Sequence, residues 1–295
     1  MKINLLMSSE KLCEQVEKRN MNEVISILDE LKGLDYECIL DQQSIEKLYD
    51  FLHKNRRNGD CHAFSMYLAK RCRNGKTYCE IDEDHYSIKM QEIKKLTDEE
   101  SDDMKAILYQ RQFFDFSSCF IYYDSDENLR SVCSTDDLRK VLTLFGNSIE
   151  GIEEFVQYIA LVYKTIVFDK NIELSLRRLE VPFIVRRHEI LYHLYCIEKE
   201  IPDIISRYGL MDNQSLGEKM TIPCSPERSR QTVKNKLTKE ADNGVIKCEL
   251  HTKMEKIGSN KPDRIYFCAC IPEGIKIDNI LLSGRIYIYQ ITQHV

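Results

Sequence analysis

Apolar positions recur along this 295-residue chain with two different periods. Over the first 148 residues, short apolar runs alternate with amphipathic segments. "KINLLM" at 2–7, "YECIL", "KTYCEI" and "FSSCFIYY" read as strands. "KLCEQVEKRNMNEVISILDELKG" predicts one helix, with Val24, Ile27, Leu28 and Leu31 on a single face and Gly33 at its stop. "SIEKLYDFLHKN" predicts a second, with Ile45, Leu48, Tyr49 and Leu52 sharing a face, and "DCHAFSMYLAKRC" a third. Residues 83–104 are heavily charged and read as loop plus solvated helix, and "TDDLRKVLTLFG" as a helix ended by Gly146. Strands alternating with helices predict an α/β domain over 1–148 with a mainly parallel sheet.

The pattern then changes. Ile152, Phe155, Val156, Ile159, Val162 and Ile166 keep a helical period, and "FIVRRHEILYHLYCIEKEI" continues it after Pro182. Residues 149–207 are therefore expected to form a helical connector that packs against both domains. From 208 to 295 the expected order is helix, turn, helix, strand, wing, strand. Ser215 is the expected cap of the first helix, with Leu216 and Met220 inward. Ser229 caps "RQTVKNKLTKEAD", in which Val233, Leu237 and Ala241 form one inward stripe, and Asn243-Gly244 provides a left-handed stop. "VIKCELH" and "RIYFCACI" are the following strands, joined by "TKMEKIGSNKPD".

The series "SRQTVKNKL…ADNGVIKCEL…GSNKPDRIYF" resembles the winged helix-turn-helix superfamily over roughly residues 208–275. That resemblance implies a second helix entering the major groove and a wing touching the backbone. Carried onto this chain, the candidate nucleic-acid contacts are Arg228, Arg230, Gln231, Lys234, Asn235 and Lys239 around the helix. Lys256 and Lys261 are the wing candidates. Duplex DNA is the favoured partner. Protein–protein contact through the same module is the alternative, which would make the chain an assembly subunit. The alternating tail "RIYIYQI" is β-like and either completes the sheet or pairs with a second copy, as a homodimer or within a larger complex.

Charge supports a division between the two ends. The whole chain carries 42 Lys and Arg against 48 Asp and Glu, a net charge of −6. From Ser206 onward the count is 14 against 10, a net of +4, which leaves −10 for the preceding residues. A polyanion is thus expected at the C-terminal end. With 43% hydrophobic and 31% charged residues, and no apolar run of the eighteen or so that a span needs, composition excludes a disordered or membrane-embedded chain. "MKINLLMSSEKLCEQ" is too short in apolar residues for a secretory signal core, so a cytoplasmic protein is expected. The 12 cysteines show no CxxC pair and read as buried thiols of a reducing compartment.

An α/β domain beside such a module directs attention to metal-binding acids, because a metal-dependent nuclease needs carboxylates converging at strand ends. Asp115 opens one apolar element, and Thr135-Asp136-Asp137 follows another. That order resembles PIN-like nuclease domains, and the resemblance implies Mg²⁺ or Mn²⁺ held by Asp115, Asp136 and Asp137. Two expected acids are absent. Ser8, Ser9 and Glu10 stand where the first strand should end in Asp, and Leu48 occupies the helix-acid position. Glu10, Asp41 or Glu46 would have to substitute. Ser134-x-x-Asp137 equally reads as a helix cap. The pairing of a degenerate nuclease with a winged helix suits mobile-element or anti-phage systems by analogy.

Two further patterns exclude more than they imply. Arg57-Asn58-x-x-x-His62 resembles the HEPN ribonuclease motif, but Gly59-Asp60 interrupts it. "RRHEILYH" places His188 and His193 five apart, about 140° around a helix, so they cannot share one zinc as HExxH histidines do. The expectation is a nucleic-acid-binding protein with a regulatory, sensing or degenerate PIN-like N-terminal domain. A metal-dependent nuclease is the alternative.

Overall fold

The computed structural model describes residues 3–7, 9–18, 21–31, 33–34, 36–63, 65–66, 79–81, 104–109, 119–123, 132 and 134–295. They combine helices with a parallel and a mixed sheet and divide into two compact units, Met1–Phe145 and Gly146–Val295.

In the first unit, β1 (Ile3–Met7), β2 (Tyr36–Asp41), β3 (Cys79–Ile81) and β4 (Cys119–Tyr123) form a sheet in the order β3-β2-β1-β4. All three pairings are parallel. Two helices separate β1 from β2, where the apolar period alone predicts one: α1 (Ser9–Glu17) and α2 (Met21–Glu30). Val24, Ile27, Leu28 and Leu31 are all buried as expected. Gly33 ends this segment at φ 99°, a backbone region open to glycine without steric penalty. In α3 (Gln42–Lys54) Leu52 is buried, but Tyr49 is half exposed rather than inward. α4 (Met104–Tyr109) and α5 (Thr135–Gly146) complete the described helices of this part, and Leu138, Val141, Leu142 and Phe145 bury one face of α5.

The second unit absorbs the expected connector. α6 (Ile152–Val162) keeps its helical stripe, but Ile166–Phe168 is a strand, β5. It pairs in parallel with β13 (Ile286–Thr292), in a mixed sheet of order β5-β13-β10-β9-β6. Here β6 is Cys224–Pro226, β9 Leu250–Lys253 and β10 Arg264–Cys268. The alternating tail is therefore an internal strand with both neighbours supplied by its own chain, so its apolar alternation gives no reason to expect a second copy at that edge. α7 (Ile172–Leu176) packs on β13, where Ser175 Oγ accepts the Ile291 N–H at 3.0 Å.

α8 (Phe183–Tyr208) begins after Pro182 and runs along one face of the sheet. His193 Nδ1 meets Thr252 Oγ1 of β9 at 2.9 Å, and His188 and His193 are both buried. α9 (Asn213–Glu218) starts one turn earlier than expected: Asp212, not Ser215, is its cap, and accepts the Ser215 N–H at 3.0 Å. Leu216 and Met220 are buried, as the pattern predicts. Gly217 cannot be replaced cheaply, since a Cβ there would lie 2.7 Å from the Cys224 carbonyl oxygen.

The largest departure follows Ser229. The helix α10 covers Arg230–Lys236 and stops there. Thr238–Ala241 is instead a strand, β7, which makes a hairpin with β8 (Gly244–Lys247) around Asp242-Asn243. Asn243 thus organises a turn rather than closing a helix. Its amide donates to the Gly274 carbonyl at 2.8 Å, and its Oδ1 accepts the Lys276 N–H at 3.0 Å. That clasp ties the hairpin to the chain leading into β11 (Lys276–Ile277) and β12 (Ile280–Leu281). The expected strand "VIKCELH" is accordingly split at Cys248-Glu249 between two sheets. Tertiary pairing overrides helix propensity here, because seven residues of helix already bury the available apolar stripe.

Candidate nucleic-acid interface

α10 is positioned by few residues. The Ser229 hydroxyl accepts the Thr232 N–H at 3.1 Å, capping the first turn. Val233 and Leu237 are buried against Tyr266 of β10, with Tyr289 and Val295 alongside. Gln290 Nε2 donates to the Lys236 carbonyl at 3.3 Å and holds the other end. The opposite face carries Arg230, Gln231, Lys234, Asn235 and Lys236, all exposed, and Arg228 is exposed just before the cap. At about 1.5 Å per residue the helix spans roughly 10 Å, close to the major-groove width of about 12 Å.

The loop between β9 and β10 is anchored at both ends and exposed between them. Lys256, Ile257, Gly258, Ser259 and Lys261 face solvent. At its base, Asp263 is fully buried and accepts the Glu180 N–H at 2.7 Å, the Val181 N–H at 3.3 Å and Arg186 Nε at 2.9 Å. Arg186 also donates to Glu189 at 2.6 Å, and Glu189 in turn accepts the Glu255 N–H. Both ends of the loop are thus tied to the start of α8 by buried charge. Burial pushes the Glu189 carboxyl above its ordinary range, and the Glu255 amide and Arg186 oppose it.

A second polar group crosses the other face of the sheet. His251 of β9 stands opposite Tyr266 of β10 and Ser225 of β6. Strand alternation puts it on the face away from Thr252 and α8, under α10. Its ring lies 5.2 Å from that of Tyr266. It is 3% exposed, and among the described residues neither ring nitrogen makes a hydrogen bond of full geometry, although the Glu249 backbone lies close enough to favour its protonated form. Arg264, two residues before Tyr266 on the same face, extends along this surface. Its Nη1 donates to the Tyr266 hydroxyl at 3.2 Å and reaches Glu227 at 3.5 Å. Among the described residues its Nε is buried without a partner. Burial, then Arg264 and Lys253, hold His251 down at about 4, so it is neutral at pH 7. Burial raises the Glu227 carboxyl, but the Ser229 N–H, His251, Arg264 and His294 outweigh it and keep the group below its ordinary range.

The expected contacts separate into two groups. Arg228, Arg230, Gln231, Lys234, Asn235, Lys256 and Lys261 are all exposed. Lys239 leaves the set: it lies on β7 and its ammonium sits 2.7 Å from the buried Asp169 carboxylate, itself bonded by the Tyr287 hydroxyl at 2.8 Å. A cation engaged inside the fold cannot neutralise a phosphate. Glu227, His251, Arg264 and His294 escape the sequence reading, because a lone His or Arg in a short apolar strand has no distinguishing spacing.

Among the described residues the expected metal ligands are not brought together. Asp115 lies outside the described residues. Asp136 is exposed at the start of α5, and Asp137 closes a capping box instead: its Oδ2 accepts the Ser134 N–H at 3.1 Å and hydroxyl at 2.7 Å. Glu46 is exposed on α3, while Glu10 and Asp41 lie on α1 and β2. Among the described residues no three His, Cys, Asp or Glu side chains group as a metal site. Asn58, of the HEPN-like series, accepts the Asp60 N–H at 2.9 Å and acts as a turn cap. No described helix is long and apolar enough to cross a membrane. No protein-family model, curated protein or solved structure matches the chain.

Proposed function

We propose that the second unit binds nucleic acid, duplex DNA in the first instance, through α10 and the β9–β10 loop. The observation that carries this reading is the two-sidedness of α10. A short helix fixed by Val233 and Leu237 presents Arg230, Gln231, Lys234 and Asn235 outward with no acid among them. Lys256 and Lys261 supply further cations from a loop whose base is immobilised by buried ion pairs. Helix residues reaching bases and loop lysines reaching phosphates is the division of labour of a winged helix. The first unit then regulates, senses or assembles.

Binding should weaken steeply with salt, since each neutralised phosphate releases counterions. Replacing both Lys256 and Lys261 by Gln should lower the slope of log affinity against log salt by about 2, with the melting temperature unchanged. A slope that is flat for the intact chain removes the proposal.

A second reading keeps the first unit as a metal-dependent, PIN-like nuclease of an anti-phage or toxin type. Its support is topological. In the order β3-β2-β1-β4 the chain reverses direction across the sheet between β1 and β4, and ligands of parallel sheets bind at the carboxyl ends beside such a switch. Cleavage of DNA or RNA with Mn²⁺ by the intact chain, lost in Asp115→Asn, is the expected result. Equal cleavage by both proteins removes it.

A further inference from the structure

The Arg264–Glu227 pair sits on the same face as α10, and it is an unusual ion pair. Both side chains are nearly covered, at 12% and 13% exposure, yet they approach only to 3.5 Å, through one guanidinium nitrogen. The guanidinium therefore lacks the two parallel short bonds that arginine and a carboxylate ordinarily make. Among the described residues its Nε is buried with no partner, and His251, opposite Tyr266 on the neighbouring strand, has no hydrogen bond of full geometry at either ring nitrogen, only the Glu249 backbone acting on it. Burying donors without acceptors is unfavourable; Arg186 Nη2 is left so too, and what sets Arg264 apart is that its carboxylate partner is also distant. Glu227 is held back from a closer approach, because its other oxygen accepts the Ser229 N–H at 3.1 Å. His294 follows Thr292, which pairs in register with Arg264, and is exposed beside it.

We propose that Arg264 is the centre of a binding site for a terminal phosphate group, and that the Glu227 carboxylate stands in for that phosphate when the site is empty. A phosphate oxygen replaces the carboxylate at the guanidinium and supplies the short, charge-assisted bonds that Glu227 does not make. The near burial of the pair selects the kind of phosphate. A monoester has one substituent and enters end-on, whereas a backbone diester carries two and needs an open channel. The inference rests on the nucleic-acid reading of this face only for the identity of the molecule bearing the phosphate. It takes either the phosphorylated end of a nucleic acid strand or a small phosphorylated compound.

The test uses the full chain with three probes: inorganic phosphate, a 5′-phosphorylated duplex and the same duplex with 5′-hydroxyl ends. The His294 imidazole resonances report occupancy. Inorganic phosphate is expected to shift them, and the phosphorylated duplex to bind about tenfold tighter than the hydroxyl one. Arg264→Gln should abolish the shift. Glu227→Gln should tighten phosphate binding about fivefold, because a competing anion is removed. That gain has the opposite sign from the loss a merely structural ion pair would show, and it does not depend on Arg264→Gln folding. If phosphate binds with this pattern but neither duplex binds, the site stands with a small phosphorylated ligand and the nucleic-acid reading falls. Equal affinity for both duplexes with no response to phosphate overturns the site and leaves the nucleic-acid reading intact. Weaker phosphate binding by Glu227→Gln also overturns it.

Discussion

Two arginine–carboxylate networks flank the mixed sheet of the second unit, and their construction differs. On the α8 side, Arg186, Asp263 and Glu189 are almost wholly shielded, with ion-pair distances of 2.6 and 2.9 Å. Asp263 also takes two backbone N–H groups, so its desolvation is repaid by several short bonds. On the α10 side, Arg264 and Glu227 meet at 3.5 Å, and among the described residues His251 near them has no hydrogen bond of full geometry at either nitrogen. The first arrangement is what a fold needs to hold a loop in place. The second leaves hydrogen-bonding capacity unused near a cationic surface. Among the described residues each network keeps one buried guanidinium nitrogen without a partner, Arg186 Nη2 and Arg264 Nε, so the short against the long ion-pair distance is what separates the structural cluster from the candidate functional one.

The comparison breaks most visibly at Asp263. Asp263→Ala removes the centre of the α8-side network and strands Arg186, so the unfolding free energy should fall by about 3–5 kcal/mol in denaturant titration. A loss comparable to that of a surface pair would mean the network does not anchor the loop. Lys239→Met should have a smaller effect, about 2 kcal/mol, since Lys239 is partly solvated while Asp169 is buried. Its salt dependence of DNA binding should equal that of the unaltered protein. A reduced slope would return Lys239 to the set of phosphate contacts.

The smallest effect sharpens the α10 side. His251 in the folded chain sits at about 4, below the value of about 6.5 for an unfolded histidine. Between these values the unfolded chain binds more protons. His251 therefore contributes stability that is complete above pH 6.5 and is lost as pH falls toward 4. His251→Phe should show less acid destabilisation over that interval in thermal melts at successive pH values. Parallel curves for the two proteins would show that the imidazole does not lie buried and neutral.

Local patterning was informative wherever one face of an element is buried by its own neighbours. Val24, Ile27, Leu28 and Leu31, and Val233 with Leu237, all point inward as their spacing demands. Ser229 caps its helix and the parallel pairing of β1, β2 and β4 follows from strands separated by helices. The candidate site was legible in part: its exposed helix cations could be named from the stripe opposite them, but the polar residues under the helix could not. His251 and Arg264 acquire meaning through register, and register across β6, β9 and β10 is not written in any one strand.

What the sequence by itself determined about this protein is the location and facing of its amphipathic segments, because period and capping are properties of a dozen neighbouring residues. Tertiary structure alone decided that "TKEA" is a strand, that Lys239 faces Asp169, that "RIYIYQI" is internal and that Arg264 crosses to Glu227. Each of those depends on a partner tens of residues away. Long-range pairing closes such contacts by burial and hydrogen bonding that no local propensity encodes.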